Sequence, residues 1–221
     1  MKIEKNYSLK DLNSLRVNQF TKYFCLIETE EDFKEAIEFT KTMNIPYLFL
    51  GEGSNILFTN DYEGLIIKNK LLGKLEHDDK TVEISSGENW HDFVKWSLSE
   101  GRYGLENLAL IPGTVGASPI QNIGAYGQEV STFIKKVHTI NVLTAEEIIF
   151  SKEDCKFGYR SSLFQKKKEY FITSVVFETN LEPNTNIAYH SLYKYIKSSS
   201  EEIENLTPKQ VFDFVSSLRK L

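Results

Sequence analysis

Two stretches of the chain gather residue types that can do chemistry without charge. Residues 107–128 read NLALIPGTVGASPIQNIGAYGQ. Charged residues make up 26% of the protein, yet these twenty-two positions hold none. Chance would produce such a run about once in a thousand at that charged fraction. Pro112 and Pro119 rule out a membrane helix, and Gly113, Gly116, Gly124 and Gly127 add further breaks. Glycine and proline also stand where a strand would need ladder bonds. The pattern predicts an extended, buried loop whose backbone N–H groups must find partners. Glycines let backbone approach a ligand closely, while Ser118, Gln121 and Asn122 supply neutral hydrogen-bonding groups. Such a cradle suits a phosphate or a flat heteroaromatic ring. A glycine-rich core turn fits the same pattern.

The second stretch is Gly51-Glu52-Gly53-Ser54-Asn55, directly after the apolar run Tyr47–Leu50. A strand ending in GxGSN exposes successive backbone donors, an anion nest fit for a pyrophosphate. A plain hairpin turn is the other reading. GEGSN is not the dinucleotide fingerprint, because the third glycine is absent and no acidic residue follows at the required spacing.

The elements that must position these loops alternate. Thr29 with Asp32 resembles a capping box, and Phe33, Ala36, Ile37 and Thr40 mark one face of a helix running to about Met43. Short strands are predicted at Tyr47–Leu50, Leu65–Ile67 and Val82–Ser85. Gly87-Glu-Asn opens a helix with Trp90, Phe93, Val94 and Leu98 on one face, stopped by Gly101. Trp90 reads as packing, and His91, one position off that face, as a solvated histidine. Lys136–Leu143 and Glu147–Phe150 form a hairpin around Thr144, and Phe171–Phe177 is a strongly apolar strand. Residues 182–186 are a turn-rich break, and Ser198–Glu202 reads as a solvated low-complexity loop. Thr207-Pro208 caps a last helix with Val211, Phe212, Val215 and Leu218 on one face and Arg219 in its last turn.

The whole chain limits the function class. Its 221 residues allow one or two domains with a sizeable core. Twenty-six basic against 31 acidic residues give a net charge of −5, and no basic stripe points to nucleic acid. There is no run of 18 apolar residues, so no membrane span is expected. The first ten residues, MKIEKNYSLK, lack the apolar segment of a secretory signal. Cys25 and Cys155 stand alone and read as buried small hydrophobes in a reducing cytoplasm. His77, His91, His138 and His190 show no metal-ligand spacing, and no structural metal is expected.

Three segments carry a resemblance. GEGSN at 51–55, GLENLALIPGTVGASPIQNIGAYG at 104–127 and CKFGYRSS at 155–162 together resemble the UDP-N-acetylenolpyruvoylglucosamine reductase (MurB) family. SGENWHDFVKWSL at 86–98 and TPKQVFDFV at 207–215 are similar to it too, so the likeness covers nearly the whole chain. The resemblance implies an α+β, two-subdomain FAD-binding fold of the PCMH/VAO type, with residues 1–70 and 71–180 as the subdomains. Residues 181–221 would begin a substrate-binding domain, most of it missing. FAD would bind non-covalently, its pyrophosphate held by Gly51, Glu52, Gly53, Ser54 and Asn55. Pro112, Gly113, Ser118, Gln121, Asn122, Gly124 and Tyr126 would wrap the pyrophosphate and isoalloxazine. NADPH would be the reductant, and UDP-N-acetylglucosamine enolpyruvate the substrate. Arg160, in FGYRSS, matches the family's catalytic arginine, with Tyr159 beside it as packing or support. Tyr189 would close over the substrate, and Arg219 would approach the substrate's diphosphate.

The chain departs from the family at its end. The family's serine proton donor and late glutamate have no matching positions before Leu221. The expectation is therefore either a working reductase or an FAD-binding remnant without turnover on its own, complemented by a separate C-terminal piece. The last helix is expected to expose the apolar face that a further domain would cover. A cytoplasmic monomer is expected.

Overall fold

A computed structural model describes residues 1–199, 203 and 205–220. The first half is built from β1 (Glu4–Ser8), β2 (Phe20–Ile27), α1 (Glu30–Met43), β3 (Tyr47–Leu50) and β4 (Tyr62–Asn69). Thr29 Oγ1 accepts the Asp32 N–H at 3.1 Å, and the Asp32 carboxylate accepts the Thr29 N–H at 3.1 Å. That reciprocal cap starts α1 where the spacing predicts, and Phe33, Ala36, Ile37 and Thr40 are its buried residues. The sheet order is β1-β2-β4-β3, with β2, β4 and β3 parallel and β1 antiparallel to β2. β4 runs well past the expected Leu65–Ile67, because it lies between two partners that pair along most of its length.

The second half begins with β5 (Lys74–Glu76), β6 (Thr81–Ser85) and α2 (Trp90–Ser99). The short pair β7 (Gly124–Ala125) and β8 (Gln128–Glu129) comes next, then β9 (Ile134–Asn141), β10 (Glu147–Ser151), the short α3 (Leu163–Lys166) and β11 (Tyr170–Glu178). Five of these strands form an antiparallel sheet, in the order β10-β9-β11-β6-β5. α4 (His190–Ser199) and α5 (Pro208–Leu218) close the chain. Ser198 and Ser199 belong to α4 rather than to a loop, their hydroxyls donating back to the Tyr195 carbonyl. Ser200–Glu202 lie outside the described residues.

Phe171 joins the two sheets. It stacks on Phe33 of α1 at 4.7 Å and lies 4.4 Å from Phe49 of β3, so a ring from β11 sits in the core of the first sheet. The largest core gathers Trp90, Phe93 and Val94 of α2 with Val82, Val137, Val175 and Phe177 of the second sheet. Trp90 is fully buried and donates its indole N–H to the Leu108 carbonyl at 2.8 Å. The same core takes in Leu192 and Ile196 of α4 and Val211, Phe212 and Val215 of α5. The expectation of an exposed last helix is thereby corrected. α5 lays its apolar face on α4 and on the 3-10 turn Glu106–Leu108. Cys25 and Cys155 are buried, and burial pushes both thiols up to about 12.

Candidate functional site

The two glycine stretches, far apart in sequence, meet. Residues 51–55 leave the C-terminal end of β3, and residues 113–116 lie against the exit of β6. Trp90 N–H donates to the Gly113 carbonyl at 3.0 Å, Val115 N–H to Glu88 at 2.9 Å and Gly116 N–H to Ser86 at 2.9 Å. Ser86 Oγ in turn accepts from the Asn69 carboxamide of β4 at 2.8 Å. The β6 exit thus holds both the central loop and the first sheet.

Across this junction the approach is close. A Cβ placed on Gly51 would stand 3.1 Å from Thr114 Oγ1, and one on Gly113 would stand 3.8 Å from Ser54 Oγ. Gly53 is left-handed, at φ 66°, and a Cβ there would meet the Leu12 carbonyl at 1.9 Å. No residue but glycine fits. The Gly53 carbonyl accepts the Ser14 N–H at 3.1 Å, which ties the loop down to the turn after β1. Glu52 faces two cations, Lys68 at 3.9 Å and Lys70 at 3.8 Å. Asn55 is exposed and Ser54 half-buried.

Deeper in the central stretch, Ser118 is 1% exposed and its hydroxyl has no hydrogen-bond partner in the structure. Buried polar groups are normally paired, and an orphan marks a place where a missing partner belongs. Gln121 is half-buried and Pro112 exposed. Asn122 is also 1% exposed. Its carboxamide donates to Glu129 at 2.9 Å and to the Gly158 carbonyl at 3.0 Å, and its Oδ1 accepts from Ser131 N–H at 3.1 Å. Both of its amide hydrogens are spent on the protein, so the Asn122 side chain holds the loop in place.

The partner at Gly158 begins the turn that bears Arg160. Gly158 and Ser161 exchange backbone hydrogen bonds at 3.0 and 3.1 Å, leaving Tyr159 and Arg160 as the two tip residues. Ser162 Oγ donates to the Ile120 carbonyl at 2.7 Å, docking the turn on the central loop. Arg160 adopts a left-handed φ of 50°, uncommon outside glycine, and its Nη2 donates to the Gly124 carbonyl at 2.8 Å. Tyr159 is 86% exposed, which corrects the expectation that it packs or supports: the tip of a two-residue turn points it to solvent.

The remaining sequence candidates border the same loop. Asn107 donates to the Tyr126 carbonyl at 2.9 Å and to the Asn186 carbonyl at 2.7 Å, so residues 186–189 lie along residues 126–127. Tyr189 is half exposed, and its ring meets Tyr126 edge-on at 5.9 Å. Arg219 caps the C-terminal end of α5, one residue past the expected last turn, and its Nε donates to the Leu110 carbonyl at 3.2 Å. Leu110 N–H donates to His91 Nδ1 at 3.1 Å, and the His91 ring stacks on Phe212 at 5.4 Å. His91 is therefore a packed acceptor, not a solvated residue, and burial lowers its pKa. The sequence reading missed Thr114 and Lys68. A lysine closing the otherwise apolar run Leu65–Ile67 was the available signal for the second. An open cleft of about 1370 Å³ lies beside the far end of the loop, lined by Asn107, Gln128 and Asn186 among others, away from residues 51–55. Among the described residues no group of His, Cys, Asp or Glu is placed to hold a metal, and no helix is long and apolar enough to cross a membrane.

A close, glycine-lined junction with an orphaned buried hydroxyl fits a dinucleotide cofactor, and residues 21–150 match the family model described as an FAD binding domain. The chain belongs to this FAD-binding domain family. It is 36% identical over 226 aligned positions to a UDP-N-acetylenolpyruvoylglucosamine reductase of Bdellovibrio bacteriovorus, covering 100% of this chain and 66% of that protein. The reductase of Escherichia coli strain K12 is 36% identical over 219 positions, covering 97% of this chain and 62% of that protein. The chain thus spans about two thirds or less of the length of these relatives. The crystal structure of UDP-N-acetylenolpyruvylglucosamine reductase from Thermus caldophilus superposes with a TM-score of 0.72 at 22% identity, covering 100% of this chain and 70% of that one. Alkyldihydroxyacetonephosphate synthase shares the fold at a TM-score of 0.57 and 16% identity, covering 82% of this chain and 36% of that one. The two-subdomain FAD-binding α+β class expected from the sequence is the fold observed.

Proposed function

We propose that the chain is the flavin-binding part of an NADPH-using reductase that converts UDP-N-acetylglucosamine enolpyruvate to UDP-N-acetylmuramate, a peptidoglycan precursor, in the cytoplasm. The observation that carries this reading is the junction of Gly51 with Thr114 and of Gly113 with Ser54, beside the unpartnered Ser118 hydroxyl. In this reading residues 51–55 hold the diphosphate of FAD without a covalent link. Ser118, Gln121, Gly124 and Tyr126 border its ring system, and Asn122 holds their loop in place. Residues 1–70 and 71–180 are the two halves of the cradle, and residues 181–221 begin the substrate-binding part.

When bound, FAD supplies hydride to the enolpyruvyl double bond and draws it from NADPH. Addition at the terminal alkene carbon leaves negative charge on the neighbouring carbon and its carboxylate. A fixed cation aimed there is worth most where water is excluded and nothing need reorganise. We assign that task to Arg160. It is exposed in this chain, so water there would have to be displaced by what binds over it; its guanidinium offers five donors in a rigid fork, of which the Gly124 carbonyl holds one. Tyr189, against Tyr126, closes over the substrate, and Arg219 at Leu110 meets the substrate's diphosphate.

A second reading is favoured by the coverage of the relatives: a unit that binds FAD and accepts hydride, but passes it on only with a separate C-terminal piece. An anaerobic titration separates the two. The chain is loaded with FAD, bleached with NADPH and then given the enolpyruvyl substrate. Return of the flavin colour supports a complete reductase, and persistent bleaching supports the second reading. A chain that takes up no flavin refutes both.

A further inference from the structure

Lys68, the lysine that closes the apolar run Leu65–Ile67, ends inside the cradle. It pairs with Leu50, the last residue of β3, and with Leu26 of β2. That places it at the carboxyl end of three parallel strands, the edge where sheets of this kind receive ligands. Alternation along β4 puts it on the face of Ile66, whose cluster includes Leu50 and Phe24. Its side chain is only 8% exposed.

The ammonium reaches the loop itself. Lys68 Nζ donates to the Gly51 carbonyl, the first of residues 51–55. Glu52 Oε1 is 3.9 Å away, beyond hydrogen-bond range. An ammonium has three donors, and among the described residues one is partnered. Burial lowers the Lys68 pKa and Glu52 opposes the shift, as expected of a cation short of polar neighbours. Glu52 does not make the spot anionic, because Lys70 lies 3.8 Å from the same oxygen and the trio carries a net positive charge.

We propose that Lys68 binds the diphosphate of the flavin dinucleotide, as a fixed positive charge at residues 51–55. The proposal rests on reading the cradle as an FAD site. Its two remaining donors suit phosphate oxygens, and a charge already desolvated gives up little water when an anion arrives. Lys68 also pins Gly51, so loop positioning is the competing role.

The test compares FAD with riboflavin, which has the same ring and no phosphate. Dissociation constants for both are measured by flavin fluorescence on the full chain, for wild type, Lys68→Met and Lys68→Arg. The expected result is FAD binding weakened about ten-fold or more in Lys68→Met, riboflavin binding unchanged, and most of the FAD affinity restored in Lys68→Arg. An equal loss for both flavins makes Lys68 a loop pin and overturns the proposal, as does an unchanged FAD affinity. If Lys68→Met does not fold, wild type decides: FAD affinity that falls with added salt while riboflavin affinity holds supports the charge, and salt-independent FAD affinity overturns it. Wild type that binds neither flavin refutes the cradle itself, whereas wild type that binds FAD no better than Lys68→Met refutes only the role of Lys68.

Discussion

Leu110 N–H donates to Nδ1 of His91 at 3.1 Å, so the imidazole must keep that nitrogen unprotonated. Leu110 is itself left-handed, at φ 54°, and its carbonyl is held from the other side by Arg219. The bend that enters the proline–glycine part of the central loop is therefore fixed at both its polar atoms. The His91 ring carries the further load of stacking on Phe212 of α5.

A pH dependence follows. Burial lowers the His91 pKa below its ordinary 6.5, so the unfolded chain binds the proton more readily than the native one. Stability from this group is fully present above about pH 6.5 and is lost as pH falls toward the lowered native value. His91→Phe keeps a ring against Phe212 and removes the titration. Urea unfolding at about pH 7.5 and about pH 5.5 should show a smaller acid loss for His91→Phe than for wild type. Equal losses would assign the acid sensitivity to other groups.

Ser118 sets stability against binding. Its hydroxyl is buried and unpartnered, so the flavin-free chain carries a desolvation penalty of about 1–3 kcal/mol there. Ser118→Ala should raise the melting temperature of the flavin-free chain and weaken FAD binding about ten-fold. A variant that melts lower and binds as wild type would mean that the hydroxyl serves neither purpose.

Gly53 and Gly158 form a matched pair of substitutions. At Gly53 a methyl group would strike the Leu12 carbonyl from a left-handed backbone, whereas at Gly158 nothing lies within 4 Å. Gly53→Ala should destabilise the chain by about 1–3 kcal/mol and abolish flavin uptake, with Gly158→Ala within about 0.5 kcal/mol of wild type. Thermal melts with and without FAD read both effects.

Arg160→Ala should leave FAD bound and block reoxidation of the NADPH-reduced flavin by the enolpyruvyl substrate, read in the chain supplemented with the C-terminal part of a relative. Arg160→Lys should recover little, since a point charge cannot reproduce a fork that also holds the Gly124 carbonyl. Full turnover in Arg160→Ala would remove this side chain from the chemistry.

What the sequence disclosed was local. The caps at Thr29 and Thr207, the strand at Tyr47–Leu50 and the hairpin joining β9 to β10 depend on neighbours a few residues away, and all are where the spacing put them. The uncharged run is largely enclosed as its composition predicts, but it is not the uniformly extended loop expected: it holds the 3-10 turn Val115–Ala117 and the strand β7, and Pro112, Ile120 and Gly127 are exposed. What escaped depends on contacts between distant segments. β1 has no apolar alternation to betray it and exists because β2 offers an edge. The hydrogen bonds that tie Asn122 to Gly158 and Ser131 have no local signal in the sequence. Lys68, one residue past the strand expected at Leu65–Ile67, went unread, because no local pattern says which loop will fold over a given strand end. His91 lay off the helix stripe, and only the position of α5 shows that a ring is waiting there.

Asn107 spends both hydrogens of one amide on carbonyls at Tyr126 and Asn186. If residues 186–189 lift, a donor that is 98% enclosed loses half of its bonding, so partial detachment is penalised. Amide hydrogens along residues 124–128 and 186–189 should consequently exchange with solvent as one block, and a bound cofactor's dwell time should track the opening of that block rather than the motion of either strand of chain alone.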